Sequence, residues 1–318
     1  MKGTKKTKKT KVIVITIISL VLAFAAVLVA IVGVNYWQNR KFDETFYSVS
    51  SLKVNNKFRI IQISDLHGCT YGSRNSKLID RVQKLEPDII LLTGDCIDDL
   101  SSAAGVVKLC EMLVTIAPSY YIYGNNEVEE YYRYELTEEA LDKQFGFDSL
   151  NRNPEKLLED TDNLTKMLEE AGVTVLKNSS DTITIGGTHV DIYGVLTSNP
   201  SAFWSYTGES FNDFLYTNET HFKLTAIHEP LVFEEFEPDY WGDLMLAGHT
   251  HGGVVKVPLL GGLYTREGGL FPERGGHYVY GRYEVEGRPL IVSAGLENKN
   301  IFRINNEPEL VIVDVNKF

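Results

Sequence analysis

The sequence predicts an α/β domain built on a mostly parallel sheet and preceded by one transmembrane helix. Three observations carry this: an unbroken apolar run near the N-terminus, short buried-type runs alternating with helically spaced segments after it, and Asp, Asn and His residues where those runs stop. With 318 residues, 43% of them hydrophobic, the chain can bury a substantial core as one large domain or two small ones.

The first element is the span. Val12 to Val34 holds no charged residue and no proline, and it matches the roughly 20 residues that cross a hydrocarbon core. Its Leu, Val, Ile, Ala and Phe run all the way round, whereas a core helix of that length keeps a polar face. Lys2, Lys5, Lys6, Lys8, Lys9 and Lys11 precede it with nothing acidic among them, which predicts a cytoplasmic N-terminus, and Tyr36 and Trp37 follow where an aromatic belt belongs. A cleaved signal peptide is the rival, but its apolar region is only about 7–15 residues long and ends in small residues. The favoured organisation is therefore a basic cytoplasmic tail over 1–11, an uncleaved anchor in the cell membrane over 12–34, a juxtamembrane linker over 35–55, and an extracytoplasmic domain over 56–318.

The net charge is −12 and the tail carries six lysines, so the rest of the chain is more acidic still. Such a body should be repelled by nucleic acid and by anionic lipid head groups, because it lacks the basic patch through which counterion release drives binding. The acidic surplus suits divalent cations or serves solubility alone. Cys69, Cys96 and Cys110 are too few and oddly spaced for a disulfide framework or a CxxC site, and they read as small core residues.

Within the domain, Phe58–Ile63 reads as a buried strand, Ser76–Leu85 as a helix through Leu78, Ile79, Val82 and Leu85, and Asp88–Leu92 as a second strand. A helix around Ala103–Met112 and a strand over Tyr120–Tyr123 complete a βαβαβ beginning, which implies parallel pairing. An acidic, Tyr- and Asn-rich stretch over about 128–170 reads as a surface insertion containing one or two helices and ending at Gly172. Strands resume at Thr182–Ile185, Val190–Tyr193, Lys223–Ile227 and Leu244–Leu246. A glycine-rich loop follows over Gly261–Gly276, and the end, near Tyr278–Val285, Leu290–Val292 and Leu310–Val315, is hairpin-like.

Five strands stop at potential metal ligands: Asp65-Leu66-His67, Gly94-Asp95, Gly124-Asn125-Asn126-Glu127, His228, and Gly248-His249-Thr250-His251. Each alone is an ordinary turn signal. Together they place ligands at strand carboxyl ends, where α/β sheets assemble their sites. In this order they resemble the calcineurin-like metallophosphoesterase superfamily, over about residues 56–318. Gly295-Leu296, Ile301-Phe302-Arg303 and Pro308-Glu309-Leu310 are similar to the tail of its bacterial membrane-anchored branch.

The resemblance implies a β-sandwich flanked by helices and two divalent ions, one held by Asp65, His67 and His251, the other by Asn125, His228 and His249, with Asp95 between them. Imidazole plus carboxylate suits Mn, Fe, Zn or Co better than Ca. The implied activity is hydrolysis of a phosphate ester by metal-activated water. One departure bears on mechanism: Asn126 stands where the family has a His that protonates the leaving group, and asparagine is no general acid. Either the enzyme is slow, or its leaving groups are good, or another residue supplies the proton, and the change tilts the reading toward phosphodiesters. A different class stays open, a surface module using a vestigial site to bind phosphorylated envelope polymers. Glu127 with Tyr131, Tyr132 and Tyr134 either shapes a pocket or packs, and Arg266, Glu267 and Arg274 either cover the site or lie in a solvated turn. Oligomeric state is left open.

Overall fold

A computed structural model describes residues 3–98, 102–127, 154–196, 209–235, 241–285, 287–299 and 302–318. A 36-residue helix, α1 (Gly3–Gln38), opens the chain; its segment Val12–Gln38 is long and apolar enough to cross a membrane, and none of it is buried by the rest of the protein. The helix continues through Tyr36 and Trp37, beyond the expected end at Val34.

Two six-stranded sheets follow. The first contains β1 (Asp43–Ser51), β2 (Phe58–Ile63), β3 (Ile89–Thr93), β4 (Ser119–Ile122), β5 (Thr174–Leu176) and the C-terminal strand β16 (Glu309–Lys317), in the order β1-β16-β2-β3-β4-β5. All its pairings are parallel except β16 with β2. The second contains β6 (Ser179–Ile185), β7 (Thr188–Val195), β8 (Phe222–Ile227), β9 (Leu244–Ala247), β14 (Gly281–Val285) and β15 (Arg288–Val292), in the order β14-β15-β9-β8-β7-β6, with antiparallel hairpins at both edges. Two small ribbons, β10 (Lys256–Val257) with β11 (Gly261–Gly262) and β12 (Tyr264–Thr265) with β13 (Gly269–Leu270), lie between β9 and β14.

The sheets pack face to face through one core that includes Ile60, Ile89, Leu91 and Val313 from the first and Ile192, Leu224, Leu246 and Ile291 from the second. The outer face of the first sheet is covered by α2 (Ser76–Leu85), α3 (Ala103–Leu113) and α4 (Pro154–Glu170) through Leu78, Val82, Leu109 and Leu168. That of the second is covered by helical residues 209–216, through Phe211 and Phe214, and by the short helix Val232–Glu235. This is the expected β-sandwich flanked by helices. The central strands, such as β2, β3, β8 and β9, are apolar runs because both their faces are buried, which is why period-2 alternation is faint in them, whereas the edge strands β6 and β14 alternate.

One segment differs from expectation. Residues 43–51, within the stretch read as a linker, form β1, which pairs with β16 in parallel register over all nine residues. It is an edge strand with a half-polar sequence, and its partner lies at the other end of the chain, so no local hydrophobic run announces it. The first part of the acidic insertion, with Tyr131, Tyr132 and Tyr134, lies outside the described residues; its last part is α4.

Candidate metal centre

The loops after β2, β3 and β4 in one sheet meet those after β8 and β9 in the other. Backbone bonds knit them: Asp65 N donates to Gly94 O, His67 N to Asp95 O, and Gly248 N to His228 O. Two glycines permit the close approach, since a Cβ on Gly124 would strike Asp95 and one on Gly248 would strike Ser64 and Asp65. Asp65, His67, Asp95, His249 and His251 all have left-handed backbone conformations, with φ between 47° and 72°. For non-glycine residues this costs on the order of 1–3 kcal/mol each, and such strain clusters at functional sites.

Six of the seven expected ligands form two groups, Asp65 with His67 and His251, and Asp95 with His228 and His249, the potential ligand atoms of each group lying within 4.8 Å of one another. Asn125 joins the second through Oδ1, 3.0 Å from His249 Nδ1. Asp95 Oδ2 lies between the groups, 3.3 Å from His228 Nε2 and 3.8 Å from His67 Nε2. The Asn126 side chain turns away from this space: its Nδ2 is 3.1 Å from His67 Nδ1 and donates to Ile97 O.

Outer partners orient the imidazoles. His228 Nδ1–H donates to Thr93 O at 2.8 Å, which turns Nε2 toward the carboxylates. His249 Nε2–H meets Glu267 Oε1 at 3.2 Å, which turns Nδ1 toward His228 and Asn125. His251 Nδ1 has Glu297 Oε2 at 3.7 Å and the guanidinium of the fully buried Arg303 at 3.5 Å. Glu127 is a brace: its buried carboxylate accepts from Asp95 N, Cys96 N, Gly124 N and Tyr121 Oη at 2.7–3.0 Å. Glu127 and Arg303 were visible in the sequence as members of the quartet and the tail motif, but nothing local revealed these roles. From the glycine-rich loop it is Glu267 that reaches the site, while Arg274 lies over the Phe271 ring.

The electrostatics suit cations. Burial disfavours the charged forms of Asp65 and Asp95, but neighbouring imidazoles, the charged His228 among them, outweigh it and hold both carboxyls below their usual range. Burial likewise opposes the charged His228, yet Asp95 and Asp65 raise it well above an ordinary histidine. Burial pushes His251 down to about 3, leaving it a neutral donor. His67 Nε2 is buried without a hydrogen-bond partner and faces Asp95, an orphaned nitrogen whose lone pair a metal ion would take. The residues present therefore fit divalent transition-metal ions. Cys69 and Cys96 pack as expected; burial raises both thiols.

Imidazoles and carboxylates gathered where strands of two sheets end are the equipment of a metal-dependent phosphoesterase. The calcineurin-like phosphoesterase family model matches residues 58–253, and the chain belongs to that family, whose fold typically binds two divalent metals. It is similar to the metallophosphoesterase YkuE of Bacillus subtilis, 24% identical over 265 residues that cover 80% of this chain and 78% of that protein. It is similar also to the phosphodiesterase YaeI of Escherichia coli, 25% identical over 263 residues covering 81% and 82%. Among solved structures, a phosphopantetheinyl hydrolase of Mycobacterium tuberculosis aligns with a TM-score of 0.43 at 13% identity, covering 75% of this chain and 89% of that one.

Proposed function

We propose that this phosphoesterase is a membrane-anchored phosphodiesterase working outside the cytoplasm, with α1 as its uncleaved anchor and its N-terminus cytoplasmic. The observation that carries the reading is the pair of ligand groups on either side of Asp95, in a domain that begins directly after an apolar helix. Asp65, His67 and His251 would hold one ion, and Asn125, His228 and His249 the other. Divalent ions held there, of Mn, Fe, Zn or Co, would supply Lewis-acid stabilisation and lower the pKa of an attacking water.

Two arguments favour diesters. Glu229, Glu267, Glu297 and Asp98 surround the site, and a phosphodiester brings one negative charge into that field where a monoester brings two. Asn126 has no proton to give a leaving group, so the enzyme depends on leaving groups that depart without one. The Escherichia coli relative, a phosphodiesterase by name, agrees with this. An envelope substrate, lipid- or glycan-linked, follows from the anchor.

The test compares full-length protein in detergent, stripped and reloaded with manganese, on a chromogenic phosphodiester and the matching monoester. Wild type is expected to prefer the diester, and Asp95→Asn to lose on the order of 10²-fold or more in rate. Retained activity in Asp95→Asn would remove the dimetal reading, and preference for the monoester would remove the diester one.

A further inference from the structure

The end of α1 is fastened to the back of the site. Asn35 Nδ2 donates to Arg303 O at 2.6 Å and Gln38 Nε2 to Glu307 Oε1 at 2.7 Å. The same short loop holds the candidate ligand His251: Asn306 Nδ2 donates to its backbone O at 2.7 Å, and Arg303 Nη2 stands 3.5 Å from its Nδ1. Between the helix and His251 there is one loop and nothing more. Tyr36 and Trp37 are exposed beside that junction, with Arg40 and Lys41 over their rings, so the junction sits at the depth where aromatic belts lie.

The loop leads on to an apolar rim. Lys256 N donates to Ile304 O and Val255 bridges Ile304, which binds the start of the β10–β11 hairpin to the fastened loop. At the hairpin tip Leu259 is fully exposed in a left-handed conformation, φ 67°, a strained placement for a leucine that none of the described residues covers. Leu270 is 71% exposed on the second ribbon, whose connecting turn carries Glu267 to His249, and Phe302 is exposed beside Arg303. Arg266 and Arg274 on this loop are exposed cations in an otherwise acidic chain. Among the described residues outside α1, Leu52 and Phe318, which lie together at the far ends of β1 and β16, are also strongly exposed, and Phe46, Tyr216, Met112 and Tyr264 are exposed singly.

We propose that Leu259, Leu270 and Phe302 enter the bilayer that α1 crosses and present the metal centre at head-group depth to a phosphodiester in a lipid head group. Continuity with α1 identifies the occupant of this rim as lipid. The substrate class rests on the phosphodiesterase reading; the membrane contact itself does not.

The test uses the full chain in vesicles of phosphatidylcholine and phosphatidylglycerol. Leu259→Cys is labelled with an environment-sensitive fluorophore, the three native cysteines being buried. Doxyl-labelled lipid is expected to quench position 259 at least twofold and to leave a label at Met112→Cys, on the exposed face of α3, unchanged. In parallel, Leu259→Ser combined with Leu270→Ser is expected to hydrolyse a soluble chromogenic diester within twofold of wild type but to release glycerol phosphate from the vesicles at least tenfold more slowly. An unquenched label at 259, in vesicles where one at Trp37→Cys is quenched, would overturn the proposal. Equal vesicle rates for the double variant and wild type would do the same. Quenching at 259 with no diester hydrolysed in any form would uphold the membrane surface and overturn the enzymatic reading beneath it.

Discussion

His249 shows how much of the site depends on side chains that are not ligands. Its Nδ1 faces the second group only while Nε2–H is held by Glu267, and such outer carboxylates typically carry 10–100-fold of metal affinity. Glu267→Ala is therefore expected to weaken binding of the second ion by about tenfold or more, with Glu267→Gln, whose amide oxygen still accepts the bond, recovering part of it. Calorimetric titration of the stripped protein checks this; unchanged affinity in Glu267→Ala would make the contact incidental. The seven candidate ligand positions could be picked out because each follows a strand, and strand ends are recognisable from apolar runs. Glu267, Glu297 and Arg303 were not, because they reach the imidazoles from separate loops. Nor does sequence reveal that five ligands sit in left-handed backbone, since only the tertiary bonds between loops hold them there.

Most elements were read to within a residue or two, for a physical reason: strands buried on both faces and helices with one apolar stripe leave contiguous signals. β1 failed that test because its stability comes from a partner more than 250 residues away. On the second sheet a polar network joins three strands. Asp191 of β7 accepts from Lys223 Nζ at 2.6 Å, from Thr182 Oγ1 of β6, and from His221 just before β8. Burial alone would raise the Asp191 carboxyl, but these donors outweigh it and depress its pKa. A depressed carboxylate contributes stability that is complete above its unfolded value, about 3.9, and is lost as pH falls through the lower folded value. Asp191→Asn should accordingly be less stable than wild type at pH 6 and approach it below pH 3 in chemical denaturation; a constant difference across that range would contradict the assignment.

At the scale of the molecule, the metal groups join the two sheets. Asp65, His67, Asp95 and Asn125 come from the first, His228, His249 and His251 from the second. Ions bound there tie both halves of the sandwich, and ligand at a hundred times its dissociation constant adds about 2.7 kcal/mol. At roughly 2–4 °C per kcal/mol, stripping the metal is expected to lower the melting temperature by about 5–10 °C, restored by manganese and not by magnesium. A melting curve indifferent to chelator would place the metals outside the fold's stability.

The edge pairing of β1 with β16 has a mechanical side. The two strands run in the same direction, and β1 begins five residues after α1 ends. A pull arriving through the helix draws β1 lengthwise along its neighbour and loads the hydrogen bonds of all nine paired positions at once, in shear, where a peeling force would open them singly. If α1 is a membrane tether, it grips the domain along its mechanically resistant direction.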